Sequence, residues 1–485
     1  SFPTRRSSDL SQGCTAVPGV TLALAANHAP IAIDVHALNF PDADHYLGDV
    51  TKADIESFPR TDLFWSSPAC PPFSNARGEK QHFDQATQAT LFEDPYESPE
   101  EREKRLSLVK RRALMEEVPR YLRAMALRGE PVTAGVVENV TQVRQWDEHD
   151  RWRREIEGLG YKTRMIAFNS MHARPKVTRR APQSRDRYYL AYWRTTLGRS
   201  PDWDKWLRPR AWCENCQEWV NAIQVFKDPS RDMGCYGVQY VYRCPRVSCR
   251  NRVVAPEVLT ASAAIDWDLP PGGRIGDREK PLKPATLARI AAGLRKFSGE
   301  AASSGGLVVS TAKRAALTSP LPVSHPLRTA TTRLEQALVQ APFWVLLRGG
   351  GNRDAGGAFS LDDPLTTFSA AGTHHALIHP PTMLLPYYSR SEPRPVTEPM
   401  GTLTTRDRYA VVSVPEVPLV DDCTFRMFAP REIAAGMAFA ADYRVTGTKR
   451  QQVAGYGNAV TPPVAEVLMS ALVECITGES LEAGP

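Results

Sequence analysis

The sequence lacks the features that would place it in a membrane or secreted class of protein. No run among its 485 residues approaches the length of about 18 consecutive apolar side chains that a membrane span needs. No apolar stretch precedes a cleavage site near the N-terminus, so no secretory signal is visible. Nine cysteines are too few in a chain of this length for a disulfide framework. A cytoplasmic protein is therefore expected.

An initiator Met is also lacking at the start of the chain. The first ten residues, SFPTRRSSDL, read more like translated sequencing adapter than like a protein segment. We therefore treat residues 1–10 as a non-native leader and leave them out of the fold prediction. The rest is expected to come from a gene whose true start is missing.

Composition and charge fit a soluble globular protein that has a polyanionic partner. Apolar residues make up 42% and charged residues 24% of the chain. A chain of 485 residues is too long for a single hydrophobic core, so two or more domains are expected. The net charge is +6, but residues 151–187 alone carry eleven Lys or Arg against three Asp or Glu. This local excess favours nucleic acid as the partner, the alternative being a solvated surface segment.

Strand-like and helix-like segments alternate in the first 194 residues. Apolar runs predict buried strands at residues 20–26, 132–137 and 162–168. Helical periodicity predicts helices at residues 31–38, 101–127 and 148–158. This alternation predicts a doubly wound α/β sheet, in which ligands bind at the carboxyl ends of the strands.

The periodicity fades after about residue 194, where proline and glycine become frequent. A weak repeat places apolar triplets at residues 337–339, 376–378 and 410–412, each 11 or 12 residues after a proline. Three hairpin-like units would explain it, and coincidence in a threonine-rich region is the alternative. The last 60 residues regain helical order, from Pro463 in a first turn to Gly478 at a helix end.

A thiol and a carboxyl group follow two of the predicted strands. Cys70 comes after the apolar run Leu63-Phe64-Trp65, and Glu138 ends the run at residues 132–137, sixty-eight residues later. Each is a weak signal alone, because most single cysteines after a strand belong to a core. Together they suit covalent attack on a ring that must also be protonated.

Six short blocks occur in one order along the chain, and in this order the sequence resembles the DNA cytosine-5 methyltransferases, of phage or restriction–modification type. The resemblance runs from about Val20 to Ile476. The blocks are Gly48-Asp49-Val50, Pro68-Ala69-Cys70 with Phe73-Ser74, Glu138-Asn139-Val140, Gln183-Ser184-Arg185-Asp186-Arg187, Arg394-Pro395-Val396-Thr397-Glu398-Pro399, and Gly457-Asn458-Ala459-Val460-Thr461-Pro462.

The resemblance implies a covalent mechanism on a cytosine flipped out of duplex DNA. Cys70 would add to carbon 6 of the ring, and Glu138 would hold the proton that stabilises the adduct. Arg185 and Arg187 would hold the ring oxygen or a nearby phosphate, an ordinary salt bridge being the alternative. Carbon 5 would then take the methyl group of S-adenosylmethionine.

The resemblance also implies cofactor-binding residues, namely Asn27, His28, Asp49, Pro68, Asn458 and Val460. The family's first glycine-rich block should precede the strand at Val20, where too few residues remain, so cofactor binding by this chain is in question. An acidic residue that bonds the cofactor ribose is replaced by Asn27-His28. His28 could bond a ribose hydroxyl, whereas Asn27 could instead cap the following helix. Pro71 stands where the family commonly has Gln.

Two close cysteine pairs predict a structural zinc site. Cys213-x-x-Cys216 is followed after 27 intervening residues by Cys244 and Cys249, a spacing that suits four thiolates around one Zn²⁺. Trp212, Trp219 and Tyr242 are expected to pack on the site, and Cys235 to be spare. Unrelated core thiols are the alternative.

The sequence thus predicts a Rossmann-like methyltransferase sheet with a zinc-binding insertion and an irregular β-rich target-recognition domain. The predicted parts are the leader at 1–10, the catalytic domain at 11–194, the insertion at 195–254, the recognition domain at 255–424 and a return to the catalytic domain at 425–485. The expected partners are double-stranded DNA and a cognate restriction endonuclease, with the protein itself a monomer. An RNA cytosine-5 methyltransferase, a catalytically impaired DNA-binding fragment and a pyrimidine-nucleotide enzyme are the alternatives.

Overall fold

The computed structural model describes residues 7–68, 114–259, 429–457 and 459–484, together with shorter segments between residues 261 and 427. The chain divides into two compact units. The first comprises Ser1–Ala264, Pro364–Gly372 and Pro430–Pro485, and the second comprises Ile265–Asp363 and Thr373–Ala429. The finer domain boundaries expected from the sequence stay predictions.

The first unit combines helices with mostly short strands. Its described helices are α1 (Ser7–Thr15), α2 (Pro30–Asn39), α3 (Glu117–Leu127), α4 (His149–Gly158), α5 (Trp203–Leu207), α6 (Pro430–Gly436), α7 (Lys449–Gly457) and α8 (Pro462–Thr477). Its described strands are β1 (Leu24–Asn27), β2 (Asp44–Leu47), β3 (Leu63–Ser66), β4 (Ala134–Asn139), β5 (Tyr161–Asn169), β6 (Gln183–Ser184), β7 (Asp186–Arg194), β8 (Arg210–Cys213), β9 (Glu218–Asn221), β10 (Ile223–Phe226), β11 (Tyr240–Arg243), β12 (Val253–Val254) and β19 (Leu365–Thr366). The numbering skips to β19 because β13 to β18 belong to the second unit, and β19 pairs with β6.

Two parallel strand pairs confirm the predicted α/β character. β1 pairs with β2, with Asn27 opposite Leu47, and β3 pairs with β4, with Ser66 opposite Val137. A parallel pair needs a crossover connection, which α2 supplies for the first pair. The strands of each pair therefore end at the same edge of their sheet.

The second sheet departs from an all-parallel arrangement. Its order is β3-β4-β7-β5, and β7 runs antiparallel to both β4 and β5. The segment between β5 and β7 contains only a single 3₁₀ turn and the two-residue strand β6, so no α-helix carries the chain back for a parallel return. The second sheet is therefore mixed, with β3 and β4 parallel and β7 antiparallel to its two neighbours.

The helices of the first unit bury the apolar stripes that the sequence predicted. Val118, Leu122 and Met125 of α3 are fully buried at helical spacing, and Trp152 and Ile156 of α4 join the same core. α3 begins at Glu117, so the predicted helix starts too early: residues 114–116 form a turn before it, and residues 101–113 lie outside the described residues.

A long helix near the C-terminus forms the second core of this unit. Pro462 and Pro463 occupy the first turn of α8, and Gly478 ends it with a left-handed φ of 80°. α1 packs so closely on α8 that a Cβ on Gly13 would come within 2.2 Å of the Pro462 carbonyl oxygen. Leu10, the last residue of the segment that we set aside as a leader, is buried in this core.

The stretch Lys449–Thr477 is apolar enough in composition to be tested as a membrane span, but 89% of its most apolar part is buried inside the protein. Core helices of soluble proteins show the same combination of length and burial.

The four predicted zinc ligands and Cys235 lie in a small β-rich part of the first unit, the cysteine module, residues 210–254. β8 and β9 form a hairpin, and β10, β11 and β12 form a three-stranded antiparallel sheet. Nine buried residues form the core of this module, which is small compared with the two other cores of the first unit.

The second unit is built from antiparallel strands in its described segments. These strands are β13 (Gly273–Arg274), β14 (Gly306–Ser310), β15 (Leu321–Pro322), β16 (Gln336–Gln340), β17 (Phe343–Leu346), β18 (Ala358–Ser360), β20 (His375–His379), β21 (Met383–Pro386), β22 (Arg394–Pro395), β23 (Tyr409–Val412) and β24 (Thr424–Met427). They form three sheets, with the orders β13-β24-β20-β17-β18, β15-β14-β16 and β22-β21-β23. The three apolar triplets of the predicted repeat each lie on a strand, in β16, β20 and β23.

Candidate active site and metal centre

Glu138 lies near the carboxyl end of β4, in the middle of the second sheet. All six residues of this strand are buried, and Glu138 is 0% exposed. Arg187 of β7 approaches it, with 3.2 Å between Arg187 Nε and Glu138 Oε1. A buried carboxylate needs such a partner, because leaving it unpaired inside the protein is costly. The sheet therefore joins two of the predicted catalytic residues in one ion pair.

The loop that leads to Cys70 starts beside Glu138. Asn139 Nδ2 donates a hydrogen bond to the Pro68 carbonyl oxygen at 3.4 Å, and Asn139 Oδ1 accepts one from Val140 N at 2.8 Å. Cys70 itself lies outside the described residues. Pro68 is only two residues before it, so the described structure brings the entry to the predicted nucleophile loop next to the predicted glutamate.

Arg185 is anchored to the last sequence block. Its guanidinium donates hydrogen bonds to the carbonyl oxygens of Ala459 at 2.8 Å and Gly457 at 3.4 Å, and the residue is only 2% exposed. These contacts join two blocks that lie more than 270 residues apart. Val460 is buried in the second core, and Asn458 lies outside the described residues.

Asn169 fixes the backbone that carries the two arginines. Its Oδ1 accepts hydrogen bonds from Arg185 N at 3.0 Å and Met171 N at 3.2 Å, and its Nδ2 donates to Ser184 Oγ at 3.0 Å. Neither Asn139 nor Asn169 was predicted as a site residue. The position of Asn139 inside the Glu-Asn-Val block was the available signal, whereas nothing in the sequence marks Asn169.

The predicted adenosine-binding residues lie at the carboxyl edge of the first sheet. Asn27 ends β1, and its Oδ1 accepts a hydrogen bond from Ala29 N at 3.0 Å just before α2 begins. His28 is exposed beside it. Asp49 follows β2, and its Oδ1 accepts from Thr51 N and Thr51 Oγ1. Asn27 and Asp49 thus both bond local backbone, whatever else they bind.

The four predicted zinc ligands converge. Their Sγ atoms all lie within 4.8 Å of one another, with 3.4 Å between Cys213 and Cys249 and 3.9 Å between Cys216 and Cys244. Tetrahedral Zn–S bonds of about 2.3 Å would place the sulfur atoms about 3.8 Å apart. The thiols therefore have the number, the chemistry and the spacing that a four-thiolate metal ion requires.

Two tight turns present these thiols. Cys216 N and Gln217 N both donate to the Cys213 carbonyl oxygen, and Gln217 has a φ of 52°. A second turn, in which Arg250 has a φ of 50°, follows Cys249. Burial disfavours the Cys213 thiolate, but hydrogen bonds from Cys216 N and the neighbouring thiols lower its pKa to about 7.

The aromatic residues near the thiols divide into two groups. Tyr242 is buried in the core of the module, as expected. Trp212 and Trp219 are 40% and 46% exposed and pair edge to face with each other, so their expected packing on the metal site is wrong. Arg210 lies over the Trp219 ring, 4.6 Å from its centroid.

The predicted basic segment does not form one positive surface. Ion pairs with acidic residues hold five of its eleven basic side chains. The segment is also divided among α4, β5 and the start of β7. The five paired residues are Arg151, Arg153, Lys176, Arg180 and Arg187.

Solved structures with similarity to the chain are of low sequence identity. An Entamoeba histolytica methyltransferase, EhMeth, is 12% identical over 97% of each chain, with a TM-score of 0.47. A candidate DNA modification methyltransferase encoded within an E. coli prophage is 13% identical over 98% of each chain, with a TM-score of 0.42. A Spodoptera frugiperda DNMT2 mutant is 12% identical over 98% of this chain and 100% of that one, with a TM-score of 0.44. TM-scores this low do not by themselves establish a common fold.

The family comparison covers the start of the chain. A search of curated proteins gives no match. Residues 11–98 match the family model described as C-5 cytosine-specific DNA methylase. This segment contains the Gly48-Asp49-Val50 block and the Pro68-Ala69-Cys70 block, whereas Glu138 and the arginines follow it. Over residues 11–98 the chain is therefore similar to the C-5 cytosine-specific DNA methylase domain, the same family whose motifs the sequence resembles.

Proposed function

We propose that the protein transfers a methyl group from S-adenosylmethionine to carbon 5 of a cytosine in double-stranded DNA. The observation that carries this proposal is the buried Glu138–Arg187 pair beside the entry to the Cys70 loop. A buried carboxyl group can share a proton with ring nitrogen 3 of cytosine, and a neighbouring guanidinium can bond its carbonyl oxygen. The family match over residues 11–98 supports the same chemistry.

In the proposed reaction, the Cys70 thiolate forms a bond to carbon 6 of a flipped cytosine. The electron pair of the carbon 5–carbon 6 double bond moves into the ring, and Glu138 shares a proton with ring nitrogen 3 to stabilise it. Carbon 5 would then take the methyl group, and the electron pair of the donor's broken sulfur–methyl bond would stay on sulfur as a thioether. Loss of the carbon-5 proton to water would restore the double bond and expel Cys70 as a thiolate.

Arg187 has a second partner in this proposal. In the described structure its Nε contacts Glu138, and its Nη1 donates to the Asp186 carbonyl oxygen at 2.9 Å. The guanidinium is thereby oriented while one face remains next to the carboxylate. We propose that this guanidinium also donates a hydrogen bond to the carbonyl oxygen on carbon 2 of the cytosine ring, since arginine can donate in several directions at once.

The first sheet would hold the adenosine part of S-adenosylmethionine, which supplies the methyl group when it is bound. The donor set fits, because His28 and Asp49 provide an imidazole and a carboxylate at one sheet edge, and both can bond ribose or adenine groups. Asn27 would act mainly by ordering the start of α2, through the bond that its side chain accepts from Ala29 N.

We further propose that the cysteine module binds one structural Zn²⁺. Four thiolates would leave no open position on the ion, so it would not take part in catalysis. Its function would be to stabilise a module whose core has nine buried residues. Metal analysis of the purified protein, followed by Cys213→Ser, tests this proposal: the expected content is one equivalent in the wild type and much less in the variant.

Trapping on duplex DNA that contains 5-fluorocytosine tests the reaction. With S-adenosylmethionine present, the wild type should form a stable covalent adduct, because fluorine at carbon 5 cannot leave as a proton would. Cys70→Ser should form none, and transfer RNA should not compete with duplex DNA. Absence of an adduct from the wild type, with DNA binding retained, would favour the alternative of a DNA-binding protein without catalysis.

A further inference from the structure

The Asp186 carboxylate, at the start of β7, lies between Arg185 and Arg187 in the sequence and is held by the cysteine module. Asp186 Oδ1 accepts a hydrogen bond from Tyr240 Oη at 2.9 Å and another from Tyr236 N at 3.1 Å. Both donors come from residues at least 50 positions further along the chain. Asp186 follows Arg185 directly and precedes Arg187, so these bonds fix the backbone between the two guanidinium groups.

The donors are themselves firmly packed. Tyr240 is 0% exposed and lies in the module's core, with its ring 5.5 Å from Phe226 and 5.8 Å from Tyr236. The turn that contains Tyr236 is closed by a bond from Gly237 N to the Tyr240 carbonyl oxygen at 2.8 Å. A buried hydroxyl held in this way has little freedom to follow Asp186 if β7 shifts.

The strand that carries Tyr240 leads into the thiol cluster. β11 begins at Tyr240 and is followed immediately by Cys244, whose backbone N–H bonds the Arg252 carbonyl oxygen at 2.9 Å. β10 and β12 flank β11 on either side. Without a metal ion the module would keep only its core of nine residues and its contacts with the second sheet, so ion binding should affect how rigidly β11 is held.

We propose that the cysteine module positions the catalytic arginines through the Tyr240–Asp186 hydrogen bond, with its metal ion as the distant support. Asp186 and Tyr240 are then positioning residues for the methyl transfer described above. The proposal rests on the proposed function for its catalytic consequence, but its structural part, the coupling of the module to the backbone at Arg185–Arg187, can be measured separately.

The chain provides a matched pair of substitutions for this test. Tyr240 and Tyr242 lie on the same face of β11, at 0% and 1% exposure. The hydroxyl of Tyr240 bonds Asp186, whereas that of Tyr242 is buried without a hydrogen-bond partner among the described residues. Tyr240→Phe and Tyr242→Phe therefore remove the same atom from similar surroundings, and only Tyr240→Phe removes the bond to Asp186.

Hydrogen–deuterium exchange of a peptide that covers residues 183–190 is the first measurement. We expect faster exchange in Tyr240→Phe than in the wild type, faster exchange in the wild type after zinc chelation, and no change in Tyr242→Phe. Equal exchange in the two variants, or no effect of chelation, would overturn the proposal whether or not the protein has methyltransferase activity.

Steady-state methylation of duplex DNA is the second measurement. Misplacing a guanidinium should slow the chemical step, so kcat should fall about tenfold to a hundredfold in Tyr240→Phe while the KM for DNA changes little. Asp186→Asn keeps an acceptor oxygen and should lose less than Asp186→Ala. An active wild type with equal kcat in Tyr240→Phe and Tyr242→Phe would refute the positioning function alone, whereas an inactive wild type with the expected exchange pattern would refute the proposed reaction alone.

Discussion

The second sheet and the cysteine module hold their functional groups by different means. Glu138 lies in a strand whose six residues are all buried, paired on both sides within a four-stranded sheet. The four thiols lie on two turns with left-handed residues, around a core of nine residues. A large core thus positions a carboxylate through packing, whereas in the module with its small core the proposed Zn²⁺ would fix the turns. The predictions below test this difference, from the largest expected effect to the smallest.

Removal of the metal ligands should affect the module far more than the sheet. Structural Zn²⁺ contributes on the order of 10 kcal/mol to small domains, so Cys244→Ser should unfold the module while the sheet keeps its structure. Limited proteolysis would then cut within residues 210–254 first. Cys235→Ser is the control, because Cys235 lies outside the thiol cluster and should change neither metal content nor cleavage.

A substitution at Glu138 should reduce activity without changing the metal content of the protein. Glu138→Gln keeps the size of the side chain but loses its proton-transfer function, so kcat should fall about 10²- to 10⁴-fold. Metal content should stay at the wild-type value, because Glu138 lies in β4 and the four thiols lie in the cysteine module. Methylation assays with parallel zinc measurements check this expectation, and a loss of metal together with activity would contradict it.

The second core offers a test of how backbone groups are held without a metal ion. Glu466 of α8 is 2% exposed and accepts hydrogen bonds from the backbone N–H groups of Lys176, Val177 and Thr178. Glu466→Gln replaces one acceptor oxygen with a donor, which should lower the free energy of unfolding by about 3 kcal/mol. Glu482, 78% exposed and paired with the Lys176 side chain, supplies the control. Glu482→Gln should cost at most about 0.5 kcal/mol in the same urea titrations.

Acid should weaken the first unit through buried histidines. Burial lowers the pKa of His36 and of His172 to about 3, so both stay neutral in the folded protein at pH values where the unfolded chain binds a proton. The resulting stability is complete above the unfolded pKa of about 6.5 and is lost as the pH falls towards 3, by about 1 kcal/mol per histidine between pH 7 and pH 5.5.

Urea titrations at pH 7 and pH 5.5 measure this loss. His172→Phe should reduce the pH dependence, since Phe can take the edge-to-face position that His172 holds against Tyr236 and Tyr242. His28→Gln, at an exposed position, should leave it unchanged. A pH dependence that survives His172→Phe at full size would show that this histidine is not responsible.

Local sequence patterns predicted the parts of the fold that depend on local order. The stripe of Val118, Leu122 and Met125 reflects a single helix, and each close cysteine pair is local in the sequence, so both patterns could be read directly. Contacts between distant segments could not. The antiparallel placement of β7 and the bond from Tyr240 to Asp186 depend on how elements meet, and no residue type at those positions is diagnostic.

The surface of the molecule was the least predictable part. The sequence gives the charges of residues 151–187 but not their partners, and helical and tertiary neighbours such as Glu116 and Glu155 neutralise some of them. In the same way Trp212 and Trp219 are apolar in composition, but they lie on strands of a hairpin whose buried face is taken by Ala211 and Val220. Successive side chains of a strand point to opposite faces, so Trp212 and Trp219 point away from the core although they lie beside the metal ligands.

The contacts of Arg185 with Gly457 and Ala459 have a consequence for synthesis on the ribosome. Chain growth places Arg185 in the sheet long before its partners, 272 and 274 residues later, have left the exit tunnel. A nascent chain can thus complete its central strands while one guanidinium still lacks its final anchor, because contacts so distant in sequence form late. The proposed site would therefore be complete only after the last sequence block has been made.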